Sequence, residues 1–144
     1  MDLLSDVWET PKIAKKSVRV GAAITDALII FIVGCVIGYF WGTPLEDGSI
    51  GFHLEGWPAI VWFATIFVLM PLQEGFTGKT IGKRVAKIKV VKEDYSDCTT
   101  ANAIVRHLLD AVDMAFFAGL IVAAYNAKNQ RIGDLAAKTI VIND

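Results

Sequence analysis

Between Val20 and Trp41 the chain carries one acidic or basic residue, Asp26, and this run limits the fold more than any other feature. About 20 predominantly apolar residues in a helix cover the roughly 30 Å of bilayer hydrocarbon, so the run predicts a full transmembrane helix. A charge at the centre of a bilayer costs about 2.5–3.5 kcal/mol on insertion scales. Asp26 must therefore face protein and find a partner. Arg19, at the start of the run, is suited either to that role or to reaching back to the headgroups.

A second charge-free run extends from Trp57 to Leu72, and through Gln73 to Glu74 if the helix tilts. Pro58 falls in its first turn, where a missing N–H costs little, whereas Pro71 marks an end or a kink. Trp57 and Trp62 suit a membrane interface. The chain has 144 residues and is 54% hydrophobic, which fits one membrane domain. The length of the first run and its lack of a small-x-small cleavage site predict a permanent anchor and not a removed signal. Cys35 and Cys98 are expected as free thiols, with no metal framework and no cofactor.

Lys12, Lys15, Lys16 and Arg19 precede the first run, and Lys79, Lys83, Arg84, Lys87, Lys89 and Lys92 follow the second. The connection between them, residues 42–56, has no Lys or Arg. The positive-inside rule then places the N-terminus and the basic loop in the cytoplasm. The basic loop is expected to meet anionic headgroups. No nucleic-acid partner is expected.

The third hydrophobic segment, from Thr99 to Arg131, poses a conflict. Its first half carries Arg106, His107, Asp110 and Asp113, and its charge-free part, Met114 to Tyr125, covers only about 18 Å as a helix. A single crossing would put Lys128, Arg131 and Lys138 outside. It would also separate two β-like stretches, VAKIKVV and KTIVI, which need partner strands away from lipid. A re-entrant helical hairpin bending near Asp113 to Gly119 resolves both conflicts, with a longer crossing helix as the alternative. The expected fold is thus an all-α membrane protein, with two transmembrane helices, a third, re-entrant hydrophobic segment and a small cytoplasmic β element. Residues 1–16 form a cytoplasmic N-terminal segment and residues 17–144 the transmembrane domain.

Arg19 and Asp26 lie two turns apart on one helix face; Arg106, Asp110 and Asp113 share a face of the third segment. Cross-helix pairs of Asp26 with Arg106, and of Arg19 with Asp110 or Asp113, are geometrically accessible. These residues form either an ion or proton pathway or a satisfied polar clamp that orients the helices. His107, at a helix boundary, and His53, in the acidic connection near Glu46, Asp47 and Glu55, are weaker candidates. GKTIGKR lacks the spacing of a phosphate loop. Gly34 and Gly38 have the small-xxx-small spacing that admits a neighbouring helix, so a homo-oligomer or a partner in a membrane complex is expected.

With these motifs in view, the chain resembles the RDD family of bacterial membrane proteins from about Ser17 to Asn143. RVGAAITD is similar to the family's opening, which puts Arg19 and Asp26 in the first two signature positions. GKTIGKRVAKIKVV resembles its central glycine-and-basic element, and RHLLDAVD and QRIGDLAAKTIVI its closing region. The resemblance makes Asp134 the second signature aspartate, with Asp113 the alternative; on the topology argued above, Arg131 and Asp134 lie in a cytoplasmic turn. Lys138 departs from the pattern, standing where a glycine is common. The resemblance implies a multi-pass protein of the bacterial inner membrane, with transport of unknown ligands or sodium–proton antiport among the activities attributed to members.

Two functions follow. In the first, a small secondary transporter or cation–proton antiporter uses Asp26 and Asp113 to exchange a proton for a cation, with Arg19 and Arg106 tuning them. In the second, a non-transporting subunit scaffolds or regulates a membrane complex, because so few spans offer no internal inverted repeat and no interrupted helix pair. An enzyme is not expected, since no nucleophile–base pair is evident.

Overall fold

The computed structural model describes residues 11–46, 51–115 and 118–144. Most of the expected N-terminal segment, Asp47, and positions 116 and 117 at the expected hairpin bend lie outside them. Helix α1 (Lys16–Trp41) is followed by a two-residue antiparallel ladder of β1 (Thr43–Pro44) and β2 (Phe52–His53). The chain returns through α2 (Trp57–Ala64), a π-helical turn (Thr65–Leu69) and α3 (Met70–Thr77) as one continuous rod. Lys16–Trp41 and Trp57–Thr77 are long and apolar enough to cross a membrane. Their outward faces leave Leu28, Phe31, Phe63 and Phe67 exposed.

Pro71 does not end this rod. Its missing N–H and its ring against the carbonyl four residues back would strain a regular α-turn. The preceding turn instead widens, with the Met70 N–H donating to the Thr65 carbonyl. The glycine pair of α1 is used inside the chain. A Cβ on Gly34 would fall 2.7 Å from Nε1 of Trp62, and one on Gly38 2.6 Å from the Phe52 ring. Trp62 therefore packs on α1, its indole nitrogen 3.5 Å from the Ile30 carbonyl.

A glycine in the left-handed conformation, Gly78, terminates α3. After it come a one-turn helix α4 (Ile81–Val85) and strand β3 (Ile88–Lys92). Then α5 (Thr100–Ala115) starts where the Thr99 hydroxyl accepts from the Asn102 N–H, followed by α6 (Ala118–Tyr125), α7 (Ile132–Ala136) and β4 (Thr139–Asn143). Strands β3 and β4 pair antiparallel, with Val90 opposite Val141 at the centre. The chain start joins them: Ile13 bridges Ile142, and the Ala14 N–H donates to the Val141 carbonyl at 2.9 Å. Both ends of the third segment also lie here. Thr100 packs on Gly75 of α3, and Lys16 Nζ reaches the Ala124 carbonyl near the end of α6.

The chain contains an internal repeat that the sequence reading missed. Thr80-Ile81-Gly82 and Arg131-Ile132-Gly133 each open a one-turn helix that ends in Ala-Lys and runs into a strand. Lys87 and Lys138 are both left-handed, with φ of 53° and 52°, and Gly78 and Asn129 are left-handed at the matching upstream position. A two-fold axis through the Val90–Val141 pair maps β3 onto β4. It also maps the bridge of Ile13 to Ile142 onto that of Asp97 to Val91. The carbonyl of Ala22 on α1 lies against Gly82 as that of Arg106 on α5 lies against Gly133. Each unit thus comprises a pair of helical segments, a short helix and a strand, and the second pair is the shorter. Ala14, Cys98, Val90 and Val141 form the buried core around the axis.

Candidate functional site: a buried charge cluster at the sheet end

Asp26 is held, but not by arginine. Its Oδ2 accepts from the Thr80 hydroxyl at 2.5 Å and its Oδ1 from the Gly82 N–H at 2.7 Å. The carboxylate caps α4, where free N–H groups and the helix dipole favour a negative charge. This fit requires a glycine: a Cβ on Gly82 would lie 2.2 Å from the Ala22 carbonyl oxygen. The expected Asp26–Arg106 pair is absent because α4 packs between α1 and the rest of the fold, bringing its own donors. It also explains why GKTIGKR is no phosphate loop, since an acidic side chain already fills that helix end.

The arginines converge on Asp134 instead. Arg19 and Arg106 both donate to its carboxylate, and the Arg131 N–H adds a third bond at 2.9 Å from the first turn of α7. Arg19 therefore does not pair with Asp110 or Asp113. Asp134 is fully buried. Burial alone would raise its pKa, but the guanidinium groups of Arg106, Arg19 and Arg131 outweigh it and hold the carboxyl at about 2. From the other side of Arg106, Nε donates to Glu74 Oε1 at 2.7 Å, and Lys83 Nζ meets Glu74 Oε2 at 2.5 Å. Arg106 also donates to the Thr139 hydroxyl at 2.9 Å, tying the cluster to β4.

Sequence reasoning missed Glu74 and Lys83. Glu74 stood at the edge of an apolar run and Lys83 within a basic loop, and neither position signals that α3 and α4 bring them together. The available signal was that a carboxylate at the end of a span must be paired.

A second branch is less well satisfied. His107 Nδ1 lies 3.0 Å from Asp110 Oδ2, and Arg131 Nη2 lies 3.2 Å from Asp110 Oδ1. Asp113 is buried; its Oδ2 accepts from the Gly133 N–H at 3.4 Å and lies 3.9 Å from Arg131 Nε. Asp110 Oδ1, Asp113 Oδ1, His107 Nε2 and Arg131 Nε are buried without a hydrogen-bond partner among the described residues. The repeat explains the difference. Asp113 caps α7 as Asp26 caps α4, but the N-cap residue there is Arg131 where α4 has Thr80, so the hydroxyl donor is missing.

Arg19, Arg106, Arg131 and Lys83 face Asp134, Glu74, Asp110 and Asp113, so the cluster is neutral when all are ionised. Of the remaining candidates, His53 is exposed and 3.0 Å from Glu55. Cys35 is exposed and Cys98 buried, both free. Among the described residues no group of His, Cys, Asp and Glu could hold a metal ion.

The sequence model of the RDD family matches residues 13–138 of this chain. No curated protein and no solved structure matches.

Proposed function

The chain belongs to the RDD family, and from that premise, its two apolar helices and the geometry of the cluster we propose that it is a small secondary transporter, a cation–proton antiporter that works as an oligomer in the bacterial inner membrane. The sheet end, with its lysines and arginines, faces the cytoplasm by the positive-inside rule, and the short hairpin of α5 and α6 re-enters the bilayer from that side.

One observation carries the reading: Asp113 is a buried carboxylate with one oxygen unpartnered, while Asp26, which accepts from the matching glycine N–H of α4, has both satisfied. A buried polar group left unpaired costs free energy that a bound cation or proton would recover. Arg131 is the adjacent counter-charge, 3.9 Å away at its nearest and a quarter exposed, so it can leave. When a small cation or a proton reaches Asp113, Arg131 is no longer needed for neutrality and swings toward water; when the ion departs, it returns. Exchange follows because Asp113 holds a cation, a proton or Arg131, but not two of them.

The test is proton flux in proteoliposomes loaded with a pH dye. Cation-dependent flux is expected, lost in Asp113→Asn and retained at a reduced rate in Asp26→Asn, which keeps a carbonyl acceptor for α4. A well-folded protein without flux would favour the second reading, a non-transporting scaffold or regulatory subunit. That reading draws its support from the chain of pairs Arg19–Asp134–Arg106–Glu74–Lys83, in which every charge is matched and nothing calls for a ligand.

A further inference from the structure

Beyond the contact of Gly34 with Trp62, α1 packs on α4, which is bonded to Asp26, and a gap lies between α1 and the α2–α3 rod. The gap is an open, almost wholly apolar groove of about 430 Å³, lined by Ile29, Ile30 and Val33 of α1, Thr65 and Leu69 of the π turn, and Ile81 of α4. Gln73 closes its sheet end. One turn beyond Gln73 on α3 is Thr77, and one turn beyond Ile81 on α4 is Arg84. These two meet, Arg84 Nη2 donating to the Thr77 hydroxyl at 3.3 Å. The guanidinium therefore stands about one helical turn beyond Gln73 and Ile81, outside the sheet end of the groove. Most cations around it are spent: Lys83 on Glu74, Lys79 on Asp144, Lys89 on Asp97. Among the described residues no carboxylate pairs with Arg84. Phe76 and Val85 are exposed at the same level, 79% and 70%, as befits the boundary between acyl chains and headgroups.

We infer that this groove and Arg84 form a binding site for one anionic phospholipid, with an acyl chain lying along the π turn and the phosphate held by the guanidinium. The charge selects the occupant: an arginine fork takes a phosphate with two parallel hydrogen bonds, and the wall offers a chain only apolar contact. The wide turn at Thr65–Leu69 has a role here, since it keeps α3 continuous past Pro71 and contributes Thr65 and Leu69 to the groove wall. The inference rests on the membrane orientation proposed above, but not on transport.

Native mass spectrometry of the full chain in a mild detergent, with equal phosphatidylglycerol and phosphatidylcholine, reads the site. The wild type should retain phosphatidylglycerol about fivefold over phosphatidylcholine, the ratio expected for one cation near an anionic surface. Arg84→Gln should abolish the preference without changing the near-ultraviolet circular dichroism, and Val33→Trp, which fills the groove, should reduce retention of both lipids. Inorganic phosphate alone should not bind. Equal retention of the two lipids, or an unchanged preference in Arg84→Gln, would overturn the site. Alkaline carbonate extraction of the cell membranes separates that failure from failure of the membrane reading, because only the latter releases the protein.

Discussion

Asp134 bears a heavy charge load, because two arginines from different helices end on it. Replacing one partner of a buried pair leaves the other uncompensated, which costs about 3–5 kcal/mol. Asp134→Asn is expected to lose that much by equilibrium unfolding in mixed micelles. Asp26→Asn, which keeps an acceptor for one of two neutral donors, should lose only about 1–2 kcal/mol. The acid limb follows from the same carboxyl. Its pKa in the fold is about 2 against an ordinary 3.8, so its contribution is complete above the unfolded value and disappears as pH falls through the folded one. The difference is worth roughly 2 kcal/mol. Unfolding curves between about pH 5 and pH 2 should slope steeply for the wild type and lose most of this component in Asp134→Asn; equal slopes would place the acid-sensitive group elsewhere.

The short helices α4 and α7 set how closely each unit packs, and their glycines report it. A Cβ at Gly82 would meet backbone oxygen at 2.2 Å, whereas at Gly133 the nearest contact is 3.0 Å. Overpacking costs about 1–3 kcal/mol. Gly82→Ala should fall at or beyond the upper end and broaden the protein's gel-filtration peak, and Gly133→Ala should fall near the lower end and elute normally. Lys138, which holds a left-handed turn at φ 52°, answers to the opposite change. Lys138→Gly removes a strain of about 1 kcal/mol and raises unfolded-chain entropy by less, so a thermal melt should rise slightly. At this scale the sequence was unevenly legible. The long apolar runs and the β-branched strands announced α1, the α2–α3 rod and the β3–β4 pairing, because lipid and sheet impose long, regular patterns. The one-turn helices did not, since five residues carry too little periodicity. The repeat hides for a related reason: its copies share little more than Ile-Gly, Ala-Lys and a central valine, which are identities that backbone geometry demands and side-chain chemistry does not. The pairing of charges was illegible because it depends on which helix α4 wedges apart.

For the whole molecule, the sheet ties the proposed crossings to one another. Strand β4 lies between β3 and Ile13, so the chain start, the loop after the second long helix and the C-terminus meet at one end. If α1 and the α2–α3 rod each cross the bilayer, the remaining segment must enter and leave on the same side, which eight residues of α6, about 12 Å long, allow and a full span does not. Directly paired residues in an antiparallel ladder have Cα atoms about 4.5–5.5 Å apart, within disulfide reach. With Cys35 and Cys98 replaced by alanine, Ile13→Cys combined with Ile142→Cys should cross-link nearly completely under mild oxidation of whole membranes, and Asn143→Cys should label only from the cytoplasmic face. A single crossing by the third segment would put those two cysteines on opposite sides of a hydrocarbon layer of about 30 Å, and no disulfide could form. The cross-link therefore tests the hairpin through the backbone, whatever the charge cluster proves to carry.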